Sequence, residues 1–333
     1  MLVGRLQWHL MPKLQATQYG FMPQRGTEDA LYDLMTYIYK ELNLKKIVLM
    51  VSLDIEGAFD NAWWPALKAQ LLAYNCPVNL YGMVKGYLRD REVIVRYAGG
   101  ESRRGTSKGC IQGSIAGPTF WNLILDSLLR ELGELGVYVQ AFADDVVLMF
   151  SGQSASSIEE EANHALARVH CWGVRNKLRF APSKTNSMVL TKKLKYDDPV
   201  VHMNNEQISL VGEIRLLGLT IDRKLTFIPH VAKACKRLQI FIRLSPSGQG
   251  DVGSESGGRE DHIHYRNRAN RAVRIVRLGT GDRKLGVRKM LDAVQRSVAL
   301  KACRAHRTVS LHSALILSRL LPLDIRGEGG LVV

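Results

Sequence analysis

Residues 140–152 read QAFADDVVLMFSG, and they place two adjacent carboxylates, Asp144 and Asp145, inside a run otherwise suited to a buried strand. Ionised carboxylates side by side repel, and burying either one unpartnered costs several kcal/mol, so the pair needs a physical reason. A hairpin turn supplies one: VYVQAF before the pair and VVLMFS after it are β-branched and aromatic, and Asp is a common turn residue. A divalent metal site supplies another, because a cation cancels the charge and carboxylate oxygens suit Mg²⁺. A turn that also holds metal satisfies both readings.

Upstream, KKIVLMVSLDIEGAFDNAWW carries an apolar run over Ile47–Leu53 that gives way to a turn at Asp54. Further along, VNLYGMVKGYLRDR has helical periodicity, and EVIVRYAGGESRRGTS reads as a hairpin around Gly99 and Gly100. SIAGPTFWNLILDSLLRELGELG reads as a long helix. SASSIEEEANHALARVHCWGVRNKL is a second one, with Ser156 or Ser157 as its cap and three Glu in its first turn. NSMVLTKK, PVVHM, EQISLV and IRLLGLTID are expected as short strands, and FIPHVAKACKRLQIFIRL as a basic amphipathic helix. That order predicts an antiparallel sheet with helices on one face, with Asp54 brought beside Asp144 and Asp145. Three converging acids suit two-metal phosphoryl transfer, in which the ions clamp the attacking and leaving oxygens.

Composition narrows the partner class. Across 333 residues, 46 Lys and Arg stand against 31 Asp and Glu, a net charge of +15 that favours a polyanion such as nucleic acid over a merely solvated basic surface. No apolar run reaches the roughly 18 residues of a membrane span, and the opening MLVGRLQWHLMPKLQ lacks a small-residue cleavage pattern, so an intracellular protein, nuclear or cytoplasmic, with no membrane partner is expected. The five cysteines are scattered and odd in number, which indicates reduced thiols rather than a disulfide framework. Cys303, His306 and His312 permit a zinc reading, against the plainer one of a structural helix face.

Taken in order, SLDIEGAFD, GCIQGSIAGP, FADDVVLMFSG, APSKTNSMVL and RLLGLTIDRKLTF, with QYGFMPQRGTEDAL upstream, resemble the palm motifs of reverse transcriptases. The wording is most similar to non-LTR (LINE-type) retrotransposon polymerases of the branch that includes insect ribosomal-DNA elements. The resemblance spans about residues 1 to 244 and resumes near Lys284. It implies an α+β fold, a right-hand polymerase palm built on a ferredoxin-like antiparallel sheet with helices on one face, with partial fingers and a damaged thumb. The corresponding domains are partial fingers over 1–45, palm over 46–222, a basic helix opening the thumb over 223–244, an irregular segment over 245–283 and a helical tail over 284–333.

The resemblance also implies roles. Asp54, Asp144 and Asp145, with the backbone carbonyl of Ile55, would hold two Mg²⁺ ions, Mn²⁺ being a possible substitute. Phe59 would lie under the incoming sugar and exclude a ribose 2′-hydroxyl, although core packing alone also explains a Phe there. Gln112 and Gly113 would touch nucleotide and template, and Lys184 would protonate pyrophosphate, with a solvated lysine as its rival. RNA template, DNA primer and deoxynucleoside triphosphates are the implied partners, and target-primed reverse transcription the implied activity. Trp63 and Trp64 read as packing rather than a base-stacking platform. The spaced Lys233, Lys236, Arg237 and Arg243 suit either phosphate contacts or a solvated face.

Three departures qualify the resemblance. Ile111 stands where most relatives have proline before the Gln-Gly pair. The resemblance implies that the first finger strands, which in relatives precede the motif with which this chain opens, fall outside this stretch of sequence. Residues 245–283 become rich in Gly, Ser, His and Arg and lose apolar periodicity, as two compensating frameshifts would produce. Too little apolar surface is left there to offset roughly 1–2 kcal/mol of backbone entropy per residue, so disorder is expected. A catalytically silent RNA-binding remnant is the alternative function. A palm-type nucleotide cyclase shares the hairpin acids, but the QGSIAGP helix entry argues against it.

Overall fold

The computed structural model describes residues 2–111, 113–244, 285–303 and 305–318. Gln112 and residues 245–283 therefore lie outside the described residues. The chain divides into two compact units, residues 1–217 and 218–333.

In the first unit, helices α1 (Leu2–Leu10) and α2 (Thr27–Asn43) precede strand β1 (Ile47–Leu53), followed by α3 (Trp64–Ala73) and α4 (Val78–Tyr87). The hairpin β2 (Glu92–Tyr97) and β3 (Gly100–Gly105) comes next, then the long helix α5 (Ala116–Glu134) and the strands β4 (Tyr138–Phe142) and β5 (Asp145–Gly152). Helix α6 (Ala155–Asn176) leads to β6 (Asn186–Leu190), and the short strands β7 (His202–Met203), β8 (Glu206–Gln207), β9 (Ser209–Leu210) and β10 (Glu213–Leu216) close the unit. The main sheet has the order β4-β5-β1-β6-β9. Its pairs are antiparallel except β6 with β9, which run parallel.

Alternation explains the layering. Leu49, Val51, Leu53, Val146, Leu148 and Phe150 turn to one face, where they join a core with residues of α3, α5 and α6. The opposite face is covered as well. Val48 and Met50 are wholly buried there, Gln140 donates to the Ala30 carbonyl of α2 at 2.6 Å, and Tyr37 of α2 stacks on Tyr138 at 4.1 Å. The apolar spacing of Ala30, Leu31, Leu34, Met35, Ile38 and Leu42 gives α2 the stripe this requires. The expected sheet and helices are present, and α2 adds a second layer.

The predicted hairpin around Gly99 and Gly100 forms as β2 and β3, paired from Glu92–Gly105 to Tyr97–Gly100. Two local expectations are corrected. Helix α6 is capped by Ser154, whose hydroxyl accepts from the Ser157 N–H at 3.3 Å, rather than by Ser156 or Ser157. Its first turn contains no acid, because starting at Ala155 puts Glu159, Glu160 and Glu161 in the second turn. Ser154→Ala is expected to cost about 1 kcal/mol, read as a lower urea midpoint with unchanged slope. EQISLV and IRLLGLTID are also not single strands; the second breaks at Leu217 and Gly218, which adopt φ of 49° and 85°.

The second unit holds β11 (Leu219–Asp222), α7 (Ile228–Leu244), α8 (Leu285–Ala302) and α9 (Leu311–Leu317). Asp222 shapes its first turn by accepting from the backbone N–H groups of Thr226 at 3.0 Å and Phe227 at 2.6 Å. Val231 and Cys235 of α7 pack on Val294 of α8, while Lys233 and Lys236 are exposed. The side chains of Arg237 and Arg243 lie outside the described residues.

Candidate active site

Antiparallel register brings the acids together. Leu53 pairs with Val146, so the next residue of the chain, Asp54, falls opposite Asp145. Both carboxylates then leave the sheet on the face away from Leu53 and Val146. Phe142 pairs with Asp145 and closes a hairpin whose two central residues are Ala143 and Asp144. Ala143 has φ +60°, whereas Asp144 is not left-handed. Positive φ at the first central residue alone is the type II′ pattern, in which that position ordinarily belongs to Gly.

Asp145 feels its surroundings and the other two acids. Partial desolvation raises the Asp145 carboxyl above the usual carboxylate range, and the charges of Asp144 and then Asp54 raise it further. Among the described residues no three His, Cys, Asp or Glu side chains are already drawn together as a metal cage. Asp54 instead lies 4.0 Å from the Lys184 ammonium, both side chains being substantially open to solvent. Cys303 and His306 are engaged locally, with the Ala299 carbonyl at 3.0 Å and the Thr308 hydroxyl at 3.1 Å.

Asp54 is fixed through its backbone by the segment after α6. Its N–H donates to the buried Thr185 hydroxyl at 3.2 Å, and its carbonyl accepts from the Ala181 N–H at 3.0 Å. Ile55 and Phe180 form an antiparallel bridge whose hydrogen bonds are made by their neighbours, Ala181 N–H to the Asp54 carbonyl and Glu56 N–H to the Arg179 carbonyl, so this ladder uses neither polar group of Ile55. The same short segment thus orients Asp54 and carries Lys184.

Phe59 is half-buried, with its ring 5.5 Å from Trp121 and 6.1 Å from Phe21. Its carbonyl accepts from Cys110 at 2.7 Å, and Ala62 accepts from Gly109 at 2.8 Å, which ties the Phe59 turn to the loop bearing Gly113. Gly113 is exposed at φ +83°, and among the described residues, its chain neighbours apart, nothing stands within 4 Å of a Cβ built there. Backbone at such a point is open to close approach by a ligand. Ile111 is exposed beside it. Trp64 is buried, its indole donating to Gly109 at 2.9 Å, and Lys177 lies over the Trp63 ring at 4.4 Å.

Several contributors had no role assigned from sequence. Residues 17–19 run along β4 as a further, parallel edge segment: the Ala141 N–H donates to Thr17 and the Tyr19 N–H to Ala141. Gly20 then lies against the Asp144–Asp145 hairpin, since a Cβ there would sit 2.1 Å from the Ala143 nitrogen. Asn122 of α5 donates to the Gly20 carbonyl at 2.8 Å, and Trp121 donates to the Ala143 carbonyl at 3.1 Å. The glycine in QYGF was the one available signal.

Comparison with known proteins agrees with this architecture. A profile of the family described as reverse transcriptase (RNA-dependent DNA polymerase) matches residues 1–221. The chain is 30% identical over 231 residues to the retrovirus-related Pol polyprotein from type-1 retrotransposable element R1 of Bradysia coprophila, covering 69% of this chain and 23% of that protein. It is 26% identical over 339 residues to the putative 115 kDa protein in type-1 retrotransposable element R1DM of Drosophila melanogaster, covering 98% and 31%. To the RNA-directed DNA polymerase from mobile element jockey of the same fly it is 28% identical, covering 64% and 24%. The chain therefore spans between about a quarter and a third of the length of these relatives. Telomerase from Candida albicans, solved with a fragment of telomeric RNA, shares the fold at TM-score 0.50 and 10% identity, over 96% of this chain and 56% of that one. From the palm hairpin outward, the protein belongs to the reverse transcriptase (RNA-dependent DNA polymerase) family, among those of non-LTR retrotransposons.

Proposed function

We propose that this chain carries the nucleotidyl-transfer centre of a non-LTR retrotransposon polymerase, extending a DNA primer on an RNA template in target-primed reverse transcription. The observation that carries the reading is the β1–β5 register, which sets Asp54 against the Asp144–Asp145 hairpin. The donor set fits divalent cations: hard carboxylate oxygens, one of them raised above its ordinary range by partial desolvation and then by the charges of the other two. Asp54, Asp144 and Asp145, with the Ile55 carbonyl, would hold two Mg²⁺ ions, or Mn²⁺ in their place. Bound there, the ions supply activation of the primer 3′-hydroxyl and charge neutralisation on the triphosphate.

The chain's own residues do the rest by position. Thr185 and Ala181 fix the backbone of Asp54, so its carboxylate starts from a defined point. Phe59, backed by Trp121, offers a ring edge against which a deoxyribose fits and a ribose 2′-hydroxyl does not. Gly113 lets backbone approach the nucleotide, and Gln112 serves the same loop. Lys184 stands beside Asp54 with its ammonium available to donate a proton to the departing pyrophosphate. The net charge of +15 favours the nucleic-acid duplex. Residues 46–222 act as palm, 1–45 as partial fingers, and 223–244 as the start of a thumb, with 284–333 as a helical tail. Among the described residues, no helix is long and apolar enough to cross a membrane, and a nuclear or cytoplasmic site of action follows from the proposed substrates.

Primer extension on an RNA template with Mg²⁺ tests the proposal. Deoxynucleotide addition by the parent chain is expected, with Asp144→Asn lowering it by about a thousand-fold or more. Salt-sensitive RNA binding without extension would instead make the chain a silent binding remnant.

A further inference from the structure

We infer that Trp121 is a positioning residue for the Asp144–Asp145 hairpin, acting through its indole N–H on the Ala143 carbonyl; the inference rests on the polymerase reading of that hairpin. Trp121 lies in α5 and is wholly buried, and its Nε1–H donates to the Ala143 oxygen at 3.1 Å. That oxygen belongs to the central peptide of the turn. Rotating this peptide changes ψ of Ala143 and φ of Asp144 together, which is the difference between the I′ and II′ forms. An N–H fixed on the carbonyl therefore selects the turn and with it the direction in which the Asp144 side chain leaves the backbone.

The turn needs such help. Ala143 is a non-glycine residue at φ +60°, a conformation that L-residues hold only when their surroundings impose it. Gly20 presses backbone against backbone on one side, and Asn122, the next residue of α5, holds Gly20 through its carbonyl at 2.8 Å. Trp121 acts directly on the strained residue, and its ring also backs Phe59 at 5.5 Å. One side chain thereby ties the wall of the proposed sugar site to the turn that presents two carboxylates.

Trp121→Phe keeps an aromatic ring and removes the N–H. Its expected effects are a fall in kcat for nucleotide addition on the order of 10- to 100-fold with the KM for deoxynucleotide little changed, and faster amide exchange in the peptide spanning residues 143–145. Adding Ala143→Gly should recover part of the loss, because glycine occupies the II′ position without strain. A loss caused by poorer packing would not be recovered. Unchanged kcat and exchange in Trp121→Phe would overturn the inference, as would equal losses in the single and double variants. If the parent chain adds no nucleotide at all, the polymerase reading falls, and the exchange rates alone decide whether the indole holds the turn.

Discussion

Asp145→Asn is expected to abolish nucleotide addition, by about a thousand-fold or more, while leaving thermal stability equal to the parent's or higher. The two effects have one cause. Desolvation and the charges of Asp144 and Asp54 raise the Asp145 carboxyl in the folded chain. A carboxyl with a raised folded pKa binds its proton more tightly folded than unfolded, so ionising it costs stability. That cost is complete above the folded pKa and disappears as pH falls below the unfolded one. Asparagine removes the charge and the cost together at neutral pH. Calorimetry without divalent ions should therefore show a midpoint at or above the parent's, and the difference should shrink as pH drops through the acidic range. A variant that loses activity because it unfolds would contradict this account, as would one that retains extension.

Gly20→Ala is expected to be the most damaging single methyl group in the first unit. The added Cβ would lie 2.1 Å from the Ala143 nitrogen and 2.9 Å from both Ala143 Cα and the Phe142 carbonyl carbon. All three are backbone atoms, so no side-chain rotation relieves the clash. Either residues 17–20 peel from β4, losing the Tyr19 N–H bond to Ala141 at 2.8 Å, or the Asp144–Asp145 hairpin shifts. Overpacking against backbone costs about 3 kcal/mol or more, equivalent to a fall in Tm of roughly 6–12 °C for a unit of this size. Thermal unfolding followed by circular dichroism measures it. Because the displaced atoms adjoin Asp144, whatever fraction remains folded should also extend primers poorly. A midpoint within a degree of the parent would show that the edge segment does not press on the hairpin.

Much of the site was readable because its logic is local. The alternation on either side of Asp144 and Asp145 specifies strands and leaves the acids at the turn, and the apolar run of Ile47–Leu53 puts Asp54 at a strand end. The convergence of the two required only antiparallel order. What was not readable depends on partners distant in sequence. Ala143 carries no mark of a left-handed conformation, since alanine normally avoids it; the strain is imposed by Trp121 and by Gly20. Asp126 looks like one more surface acid of α5, yet it is buried and accepts from the Gln15 N–H at 2.6 Å and from the Tyr74 hydroxyl. It thereby fastens the chain after α1 to α5.

Helix α2 illustrates the intermediate case. Its stripe from Ala30 to Leu42 is periodic, but periodicity alone does not say which surface it covers, and the Gln140 bond to Ala30 settles that. The cap of α6 falls two or three residues before the serines that the sequence favours, because Ser154, Ser156 and Ser157 are chemically alike and only the bond from the Ser157 N–H distinguishes them.

Iron-directed cleavage tests the central claim most directly. With Fe²⁺ in place of Mg²⁺, and ascorbate and peroxide present, radicals formed at a bound ion cut the nearby backbone. The account predicts cuts at both residues 54–55 and residues 143–145, suppressed together by excess Mg²⁺ and lost together in Asp145→Asn. Cleavage confined to one of the two segments, or unaffected by the substitution, would contradict it.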